Sequence, residues 1–104
     1  MRPIVIVTGA SHGIGAATAR LFAADGYDVC INYLSDGAAA SEVVDACLAT
    51  CARAIAVQGD VGDKEDIEAL FRACDDELGR VTCLVNNAGI IGKAGRIEDL
   101  QPEV

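Results

Sequence analysis

The sequence predicts an α/β protein in which helices cover both faces of a doubly wound parallel sheet. Short apolar runs rich in β-branched residues alternate along the chain with segments of helical periodicity. The runs are continuously apolar, which is typical of strands buried on both faces of a parallel sheet. Each connection between runs is long enough to contain a crossover helix. We therefore expect a three-layer α/β/α arrangement with about four strands and about three helices.

Four apolar runs are predicted to form the strands of this sheet. They are Ile4–Val7, Val29–Ile31, Ala54–Val57 and Val81–Val85. The first run has only four apolar residues before Thr8, whereas the apolar region of a secretory signal needs about 7 to 15. No stretch approaches the roughly 18 to 20 consecutive apolar residues of a membrane span. We expect the first run to be a strand and the protein to have no membrane partner.

Three segments between the runs place apolar residues at the spacing of an α-helix. The predicted core-facing residues are Ile14, Ala17, Thr18, Leu21 and Phe22 in the first segment, Val43, Val44, Cys47, Leu48 and Thr50 in the second, and Ile67, Leu70, Phe71, Cys74 and Leu78 in the third. The second segment runs from about Ala38 to Cys51. For the third helix we predict Asp63 as the N-cap, Asp66 in the first turn and Gly79 just after the C-cap.

Composition excludes several classes of protein. Of the 104 residues, 52% are hydrophobic, so the chain is not disordered and is long enough for one domain with a core. The 16 acidic and 8 basic residues give a net charge of -8, which argues against a nucleic-acid or anionic-membrane partner. A local anion site remains compatible with this charge, because a helix N-terminus binds anions through free N–H groups and its dipole.

The five cysteines are an odd set without a C-x-x-C pair. Disulfide frameworks in secreted domains use even sets, so we expect a reducing, cytoplasmic setting. Cys30, Cys74 and Cys83 are predicted to be buried as small apolar groups. Cys47 and Cys51 lie four residues apart on the predicted second helix, but no His, Asp or Glu cluster completes a metal site there. We expect no bound metal.

Polar and glycine-rich segments follow each predicted strand. They are Thr8–Gly15, Asn32–Tyr33, Gly59–Val61 and Asn86–Gly89. In open α/β sheets, ligands bind beyond the carboxyl ends of the strands, near the point where strand order reverses. The four segments together predict a ligand site along one edge of the sheet.

The segment after the first strand has the chemistry of a pyrophosphate site. Gly9 permits a tight turn, Gly13 permits close approach of a phosphate to the backbone, and Gly15 permits close packing of the helix. Free N–H groups at the helix start would bind the phosphates. A P-loop is excluded because no Lys-Ser/Thr pair follows Gly15, and a receiver-type acidic pocket is excluded because the strand ends in Thr8-Gly9.

Thr8-Gly9 with Gly13 and Gly15, then Asp60-Val61, then Asn86-Asn87-Ala88-Gly89 resemble the classical short-chain dehydrogenase/reductase family. The resemblance covers essentially the whole chain but only the N-terminal half or less of the family's length. It implies a Rossmann-type sheet with strand order 3-2-1-4. The exposed edge beyond the fourth strand would then need a covering partner.

The resemblance also implies roles for individual residues. Asp60 would bind the adenine amino group, the Val61 N–H an adenine ring nitrogen, and Asn86 would tie the central strands together. The alternative for Asp60 is a solvated turn carboxylate or an N-cap. The complete set of expected coenzyme-binding residues is Gly9, Ser11, His12, Gly13, Ile14, Gly15, Asn32, Tyr33, Asp60, Val61, Asn87, Ala88 and Gly89.

The end of the second strand bears on the choice of nicotinamide coenzyme. An acidic residue there would bind the ribose 2′-hydroxyl and repel a 2′-phosphate, but the corresponding residue is Tyr33. The absence of an acidic residue at this position favours NADP(H) over NAD(H). Basic residues that would bind the phosphate are missing as well, because His12 stands where many relatives carry Arg and Leu34 is apolar. An exposed loop histidine without a ligand is the alternative for His12.

The family resemblance implies hydride transfer between the nicotinamide and a carbonyl or alcohol substrate, with a Ser and a Tyr-x-x-x-Lys motif performing the proton chemistry. Tyr27 and Tyr33 are followed four residues later by Ile31 and Gly37, so neither forms that motif. We expect residues 1–104 to be a single NAD(P)-binding domain, truncated before the catalytic half, inactive alone and homo-oligomeric at full length. A non-catalytic nucleotide-binding or interaction module is the alternative.

Overall fold

The structure, a computed structural model, describes residues 2–87. Strands and helices alternate throughout this range. In chain order they are β1 Ile4–Val7, α1 Gly13–Ala24, β2 Asp28–Tyr33, α2 Gly37–Leu48, β3 Ala54–Gln58, α3 Lys64–Glu77 and β4 Cys83–Val85. The predicted β-α-β-α-β-α-β order is confirmed, and β4 is shorter than predicted because it begins only at Cys83.

The four strands form one parallel sheet in the order β3-β2-β1-β4. Val5 of β1 is in register with Val29 of β2 and Cys83 of β4, and Val29 is in register with Ala54 of β3. The predicted 3-2-1-4 order is confirmed. Since all strands run in one direction, the segments after β1, β2, β3 and β4 meet at a single edge of the sheet.

The core lies on both faces of the sheet, as predicted for a three-layer fold. Val5 and Val7 of β1 point into a cluster with α1 and α2, whereas Ile4 and Ile6 point into a cluster with α3. Each of these four side chains is at least 95% buried. The outer strand β3 differs, because Ala56 is exposed there, so continuous burial was a wrong prediction for that strand.

Helix α1 does not use the face predicted from its larger apolar residues. Ile14 and Leu21 are 76% and 70% exposed. The buried residues are small, namely Gly15, Ala16, Ala19 and Ala23. The prediction was wrong because small residues form the buried face of α1, with only Phe22 of the predicted large apolar residues partly buried against the same core cluster, and the periodicity of large residues does not report such close packing.

Helix α2 ends earlier than predicted. It stops at Leu48, which is 48% exposed, and buries Ala40, Val43 and Cys47. Cys51 lies beyond the helix, exposed, with φ 73°. Cys47 and Cys51 are therefore not neighbours on one helical face, and the chain there offers no paired thiols for a metal.

Helix α3 has the predicted ends and core stripe. The Asp63 side chain accepts hydrogen bonds from the amides of Glu65 and Asp66, which confirms the N-cap. Gly79 follows the C-cap with φ 126°, a left-handed conformation that suits glycine. Leu70 and Cys74 are buried against the sheet. Two other residues of the predicted stripe, Ile67 and Phe71, are half-buried.

At the amino-terminal edge of the sheet, the buried carboxylate of Asp28 joins three segments of chain. It accepts hydrogen bonds from Arg2 Nε at 2.8 Å, Arg53 Nε at 3.0 Å and the Arg53 amide at 2.9 Å. Burial alone would raise the pKa of Asp28, but the Arg53 amide and guanidinium and the Arg2 guanidinium outweigh it and hold the pKa below its ordinary value. Asp28 is thus an ionised anchor for the starts of β1, β2 and β3.

Candidate functional site

The N-terminus of α1 is built differently from those of the other two helices. Asp36 caps α2 through the Ala39 amide, and Asp63 caps α3. The N-cap of α1 is His12, which has an extended backbone and makes no side-chain capping bond. No group within residues 2–87 accepts a hydrogen bond from the first helical amides, those of residues 13–15. These N–H groups are free to donate to an anion, and the helix dipole behind them would favour its negative charge.

The glycines of the loop keep this N-terminus accessible and close to the sheet. Gly13 has φ 59°, and a Cβ added there would meet nothing within 4 Å, so the backbone faces open space. A Cβ added to Gly15 would collide with the Gly9 carbonyl and lie 2.5 Å from Asn87 Nδ2. Gly15 therefore sets the close approach of α1 to the ends of β1 and β4, as the sequence predicted for its packing role.

Asn32, at the end of β2, holds the first part of the loop. Its side-chain oxygen accepts a hydrogen bond from the Gly9 amide, and its carbonyl accepts one from the Ala10 amide. Its Nδ2 donates to the carbonyls of Val57 and Gly59 at the end of β3. Asn32 is only 3% exposed. These contacts favour a supporting role for Asn32 over the direct coenzyme contact that we predicted.

Thr8 joins the end of β1 to the end of β4. Its hydroxyl lies 3.2 Å from Asn86 Oδ1 and 3.4 Å from the Val85 carbonyl, and it accepts a hydrogen bond from the Asn87 amide at 2.8 Å. The Asn87 side chain donates to the Gly9 carbonyl. Asn86 and Asn87 thus lie beside the glycine loop. This role of the Thr8 hydroxyl was not predicted, although a Thr directly before the glycine turn was visible in the sequence.

The turn after β3 brings Asp60 and Val61 to the same edge. Asp60 Oδ1 accepts a hydrogen bond from the Gly62 amide, and the Asp60 amide donates to Asp66 Oδ2. Asp60 therefore acts as a turn carboxylate, which was the alternative to its expected role in binding adenine. Its second carboxylate oxygen makes no hydrogen bond within the described residues. Asp66, the first-turn residue of α3, fixes the turn and was not predicted to do so.

His12 and Asp36 form a contact between the glycine loop and the start of α2. His12 Nε2 lies 2.9 Å from Asp36 Oδ2, and both side chains are substantially exposed. The Ala39 amide bound to Asp36, and secondarily His12, hold the pKa of Asp36 below its ordinary value. Asp36 lies three residues beyond Tyr33, the last residue of β2, so its place in the sequence gives no sign that it approaches the glycine loop. The structure instead puts its charge beside a predicted coenzyme-binding residue.

The remaining predicted residues divide into those at the edge and those outside the described range. Ser11 and Tyr33 are half-buried at the edge, and Ile14 is exposed beside the α1 N-terminus. Ala88 and Gly89 lie outside the described residues. Within residues 2–87 there is no group of three potential metal ligands. None of the helices in that range has the length and apolarity required to cross a membrane.

The cysteine predictions have mixed outcomes. Cys30 and Cys74 are fully buried and Cys83 is half-buried, and all five thiols are free. Burial raises the pKa of the Cys47 thiol. The neighbouring Cys74 thiol and burial raise the pKa of Cys30. The thiols of Cys30 and Cys47 are therefore protonated packing groups at neutral pH.

Comparison with known proteins identifies the family to which this chain belongs. The sequence profile of the short chain dehydrogenase family matches residues 3–104. The chain therefore belongs to the short-chain dehydrogenase/reductase family, a family of oxidoreductases that bind a nicotinamide dinucleotide.

Individual relatives agree with this assignment. The chain is 44% identical over 100 residues to an uncharacterized oxidoreductase of Methylorubrum extorquens, covering 96% of this chain and 40% of that protein. It is 49% identical over 86 residues to 3beta-hydroxysteroid dehydrogenase 1 of Eggerthella lenta, covering 83% of this chain and 33% of that protein. A crystal structure of a dehydrogenase/reductase from Sinorhizobium meliloti superposes with a TM-score of 0.81 at 35% identity, covering 93% of this chain and 40% of that chain. The chain thus spans less than half the length of these relatives.

Proposed function

We propose that residues 1–104 form the single NADP(H)-binding domain of a short-chain oxidoreductase that transfers hydride between NADP(H) and a carbonyl or alcohol substrate. The observation that carries the proposal is the uncapped N-terminus of α1. Its free amides face open space at Gly13, whereas α2 and α3 are capped by their own carboxylates. A pyrophosphate supplies the acceptors that this helix lacks.

The residues at the carboxyl edge fit the rest of a dinucleotide. We assign the pyrophosphate to the amides of residues 13–15, and the adenine to the free carboxylate oxygen of Asp60 and the Val61 N–H. We assign Asn87, with Ala88 and Gly89 that follow it in the sequence, to binding on the ribose and nicotinamide side of the coenzyme. Bound nicotinamide supplies or accepts the hydride. The chain's own residues orient it, because Asn32 and Thr8 hold the loop and the end of β4 in fixed positions.

We assign NADP(H) rather than NAD(H) as the coenzyme. Tyr33, not a carboxylate, ends β2, so the side chain that would bind a ribose 2′-hydroxyl and repel a 2′-phosphate is missing there. His12 and Ser11 offer hydrogen bonds to a 2′-phosphate. Asp36 lies against His12, and only part of its charge is offset, by the Ala39 amide and, when protonated, by the His12 ring.

The 104-residue chain binds the coenzyme without catalysing the reaction. Neither of its tyrosines is followed by Lys at the fourth position, so it has no Tyr-x-x-x-Lys for proton transfer. In a longer protein this chemistry, the substrate contacts and the surfaces for a homo-oligomer come from other sequence. We place the protein in the cytoplasm, where an odd set of thiols stays reduced.

The test is a titration of the chain with NADPH, followed by nicotinamide fluorescence and calorimetry. Gly13→Val places a side chain where the phosphate must approach, and we expect it to weaken NADPH binding at least about tenfold. Gly26→Val is the matched control, because Gly26 also has a positive φ, 99°, and open space around a Cβ. Equal NADPH affinity in wild-type protein and Gly13→Val would refute the phosphate assignment.

Equal weakening by both variants would attribute the effect to backbone strain and would also count against the assignment. A second titration compares NADPH with NADH. We expect the tighter binding for NADPH, and equal affinities would refute the coenzyme preference. Adding carbonyl substrates to the NADPH-bound chain should leave the nicotinamide absorbance unchanged.

A further inference from the structure

A second cavity lies at the amino-terminal edge of the sheet, opposite the proposed coenzyme site. Its volume is about 530 Å³, within the range of small-molecule sites. We call it the arginine cavity, and it is lined chiefly by Arg2, Arg53, Arg80, Pro3, Ile4 and Leu78. Its wall thus combines three cationic side chains with apolar atoms of Pro3, Ile4 and Leu78. Nothing in the proposed function uses this cavity.

The charge of the arginine cavity contrasts with that of the chain. The whole sequence carries a net charge of -8, yet three of its eight basic residues line this one cavity. No carboxylate lines it, and Asp28, which pairs with Arg2 and Arg53, is buried beneath them. Arg80 is exposed and has no ion pair or hydrogen bond among residues 2–87. The cavity is therefore a local positive site on an acidic protein.

Two of the guanidinium groups are held in fixed orientations. Arg2 donates from Nε to Asp28 and from Nη2 to the Tyr27 carbonyl at 3.2 Å. Arg53 donates from Nε to Asp28 and from Nη2 to the Leu78 carbonyl at 2.7 Å. In each group, Nη1 has no acceptor among the described residues. A planar guanidinium fixed in this way presents its remaining N–H groups to an incoming oxyanion at little further entropic cost.

We propose that the arginine cavity binds a small organic carboxylate with a hydrocarbon body. The planar carboxylate matches the geometry of the arginine N–H groups, and Arg80 adds the third positive charge. The hydrocarbon contacts Pro3, Ile4 and Leu78, which a fully hydrated inorganic anion would not exploit. The site is separate from the coenzyme edge because it lies at the opposite ends of the strands.

The test uses hexanoate as the probe, with calorimetry and amide chemical shifts of the isotopically labelled chain. We expect a Kd of about 1 mM, with shifts at Ile4, Gly79 and Thr82 and none at Gly13. Acetate, which lacks the hydrocarbon, and 1-hexanol, which lacks the charge, should each bind about tenfold more weakly or worse. Saturating NADPH should leave hexanoate binding unchanged.

Variants locate the binding site. Arg80→Gln should weaken hexanoate binding about fivefold, whereas Arg72→Gln, which removes an exposed arginine of α3 outside the cavity, should leave it unchanged. Arg80→Lys keeps the charge without the planar group and should give an intermediate affinity, so the proposal stays testable if the Gln variant folds poorly. Equal weakening by the Arg72 and Arg80 variants, equal affinity for 1-hexanol, or shifts confined to the Gly13 loop would each overturn the proposal.

Discussion

Replacing Asp28 by Asn tests the anchor at the amino-terminal edge of the sheet. Asn keeps the shape of the side chain but loses the charge and turns an amide donor toward one of the two guanidinium groups. The wild-type carboxylate is 1% exposed and accepts three hydrogen bonds, two of them from arginine side chains. Hydrogen bonds to charged groups contribute about 1.5 to 3 kcal/mol each. Arg2 and Arg53 remain 36% and 58% exposed, so water compensates part of the loss.

We therefore expect Asp28→Asn to lower the free energy of unfolding by about 2 to 4 kcal/mol. Such a loss is a large part of the roughly 5 to 15 kcal/mol typical of a domain. Urea unfolding followed by circular dichroism measures it, with Asp76→Asn, an exposed carboxylate of α3, as the control within about 0.5 kcal/mol of wild type. A difference below about 0.5 kcal/mol for Asp28→Asn would refute the anchoring role.

The pH dependence gives a second check on the same variant. Because the folded-state pKa of Asp28 is lowered, its stabilising contribution is complete above the ordinary value of 3.8 and is lost as pH falls through the folded-state value. The stability difference between wild type and Asp28→Asn should be constant at neutral pH and shrink only in acid below 3.8. A difference that shrinks between pH 5 and 7 would contradict an anchor with a lowered pKa.

Three further substitutions test the site and the helix ends. Gly15→Ala places a Cβ against the Gly9 carbonyl, and we expect a stability loss of about 1 to 3 kcal/mol in thermal unfolding, with weaker NADPH binding. Asp36→Asn removes a negative charge beside His12, and titrations should show a higher NADPH-to-NADH affinity ratio. Asp63→Ala removes the N-cap of α3 and should cost about 1 kcal/mol in urea unfolding.

The first two of these substitutions each have a control and a contrary outcome. For Gly15→Ala the control is Ala24→Gly, at an exposed position of α1. It measures the effect of glycine on the stability of that helix where the side chain makes no contact with the sheet. Asp25→Asn removes an exposed charge away from the glycine loop and should leave the coenzyme ratio unchanged. Unchanged stability in Gly15→Ala would contradict the close packing of α1. A lower NADPH-to-NADH ratio in Asp36→Asn would contradict repulsion by that carboxylate.

The alternation of strands and helices and the ends of α3 could be predicted because they depend on local patterns, whereas the strand order was predicted from the family resemblance. Continuous apolar runs identify parallel strands, and Asp63 and Gly79 stand where capping chemistry requires them. The buried face of α1 could not be predicted from its large residues, because the distance between helix and sheet decides which residues fit there. That distance depends on the close approach of Gly15 to the Gly9 carbonyl.

The polar contacts of the site likewise divide into those that a local sequence pattern predicts and those that it does not. The glycine loop was visible in the sequence because its spacing has a mechanical meaning. The His12–Asp36 contact joins residues 24 apart, and Arg2 reaches Asp28 across 26 residues. Such pairs depend on the way loops and strand ends meet in space, so no local pattern reports them. The predicted second strand begins at Val29, yet β2 begins at Asp28, whose carboxylate joins the starts of β1, β2 and β3.

The Thr8 hydroxyl has a consequence for how a ligand would encounter the carboxyl edge. It has a single proton, which can be donated to Asn86 or to the Val85 carbonyl but not to both, while its lone pair receives the Asn87 amide. The backbone at Asn87 is thereby oriented by the protein itself before any molecule arrives. The backbone at Asn87 is thus ordered before a dinucleotide binds. Binding there would cost less conformational entropy than binding to a flexible segment.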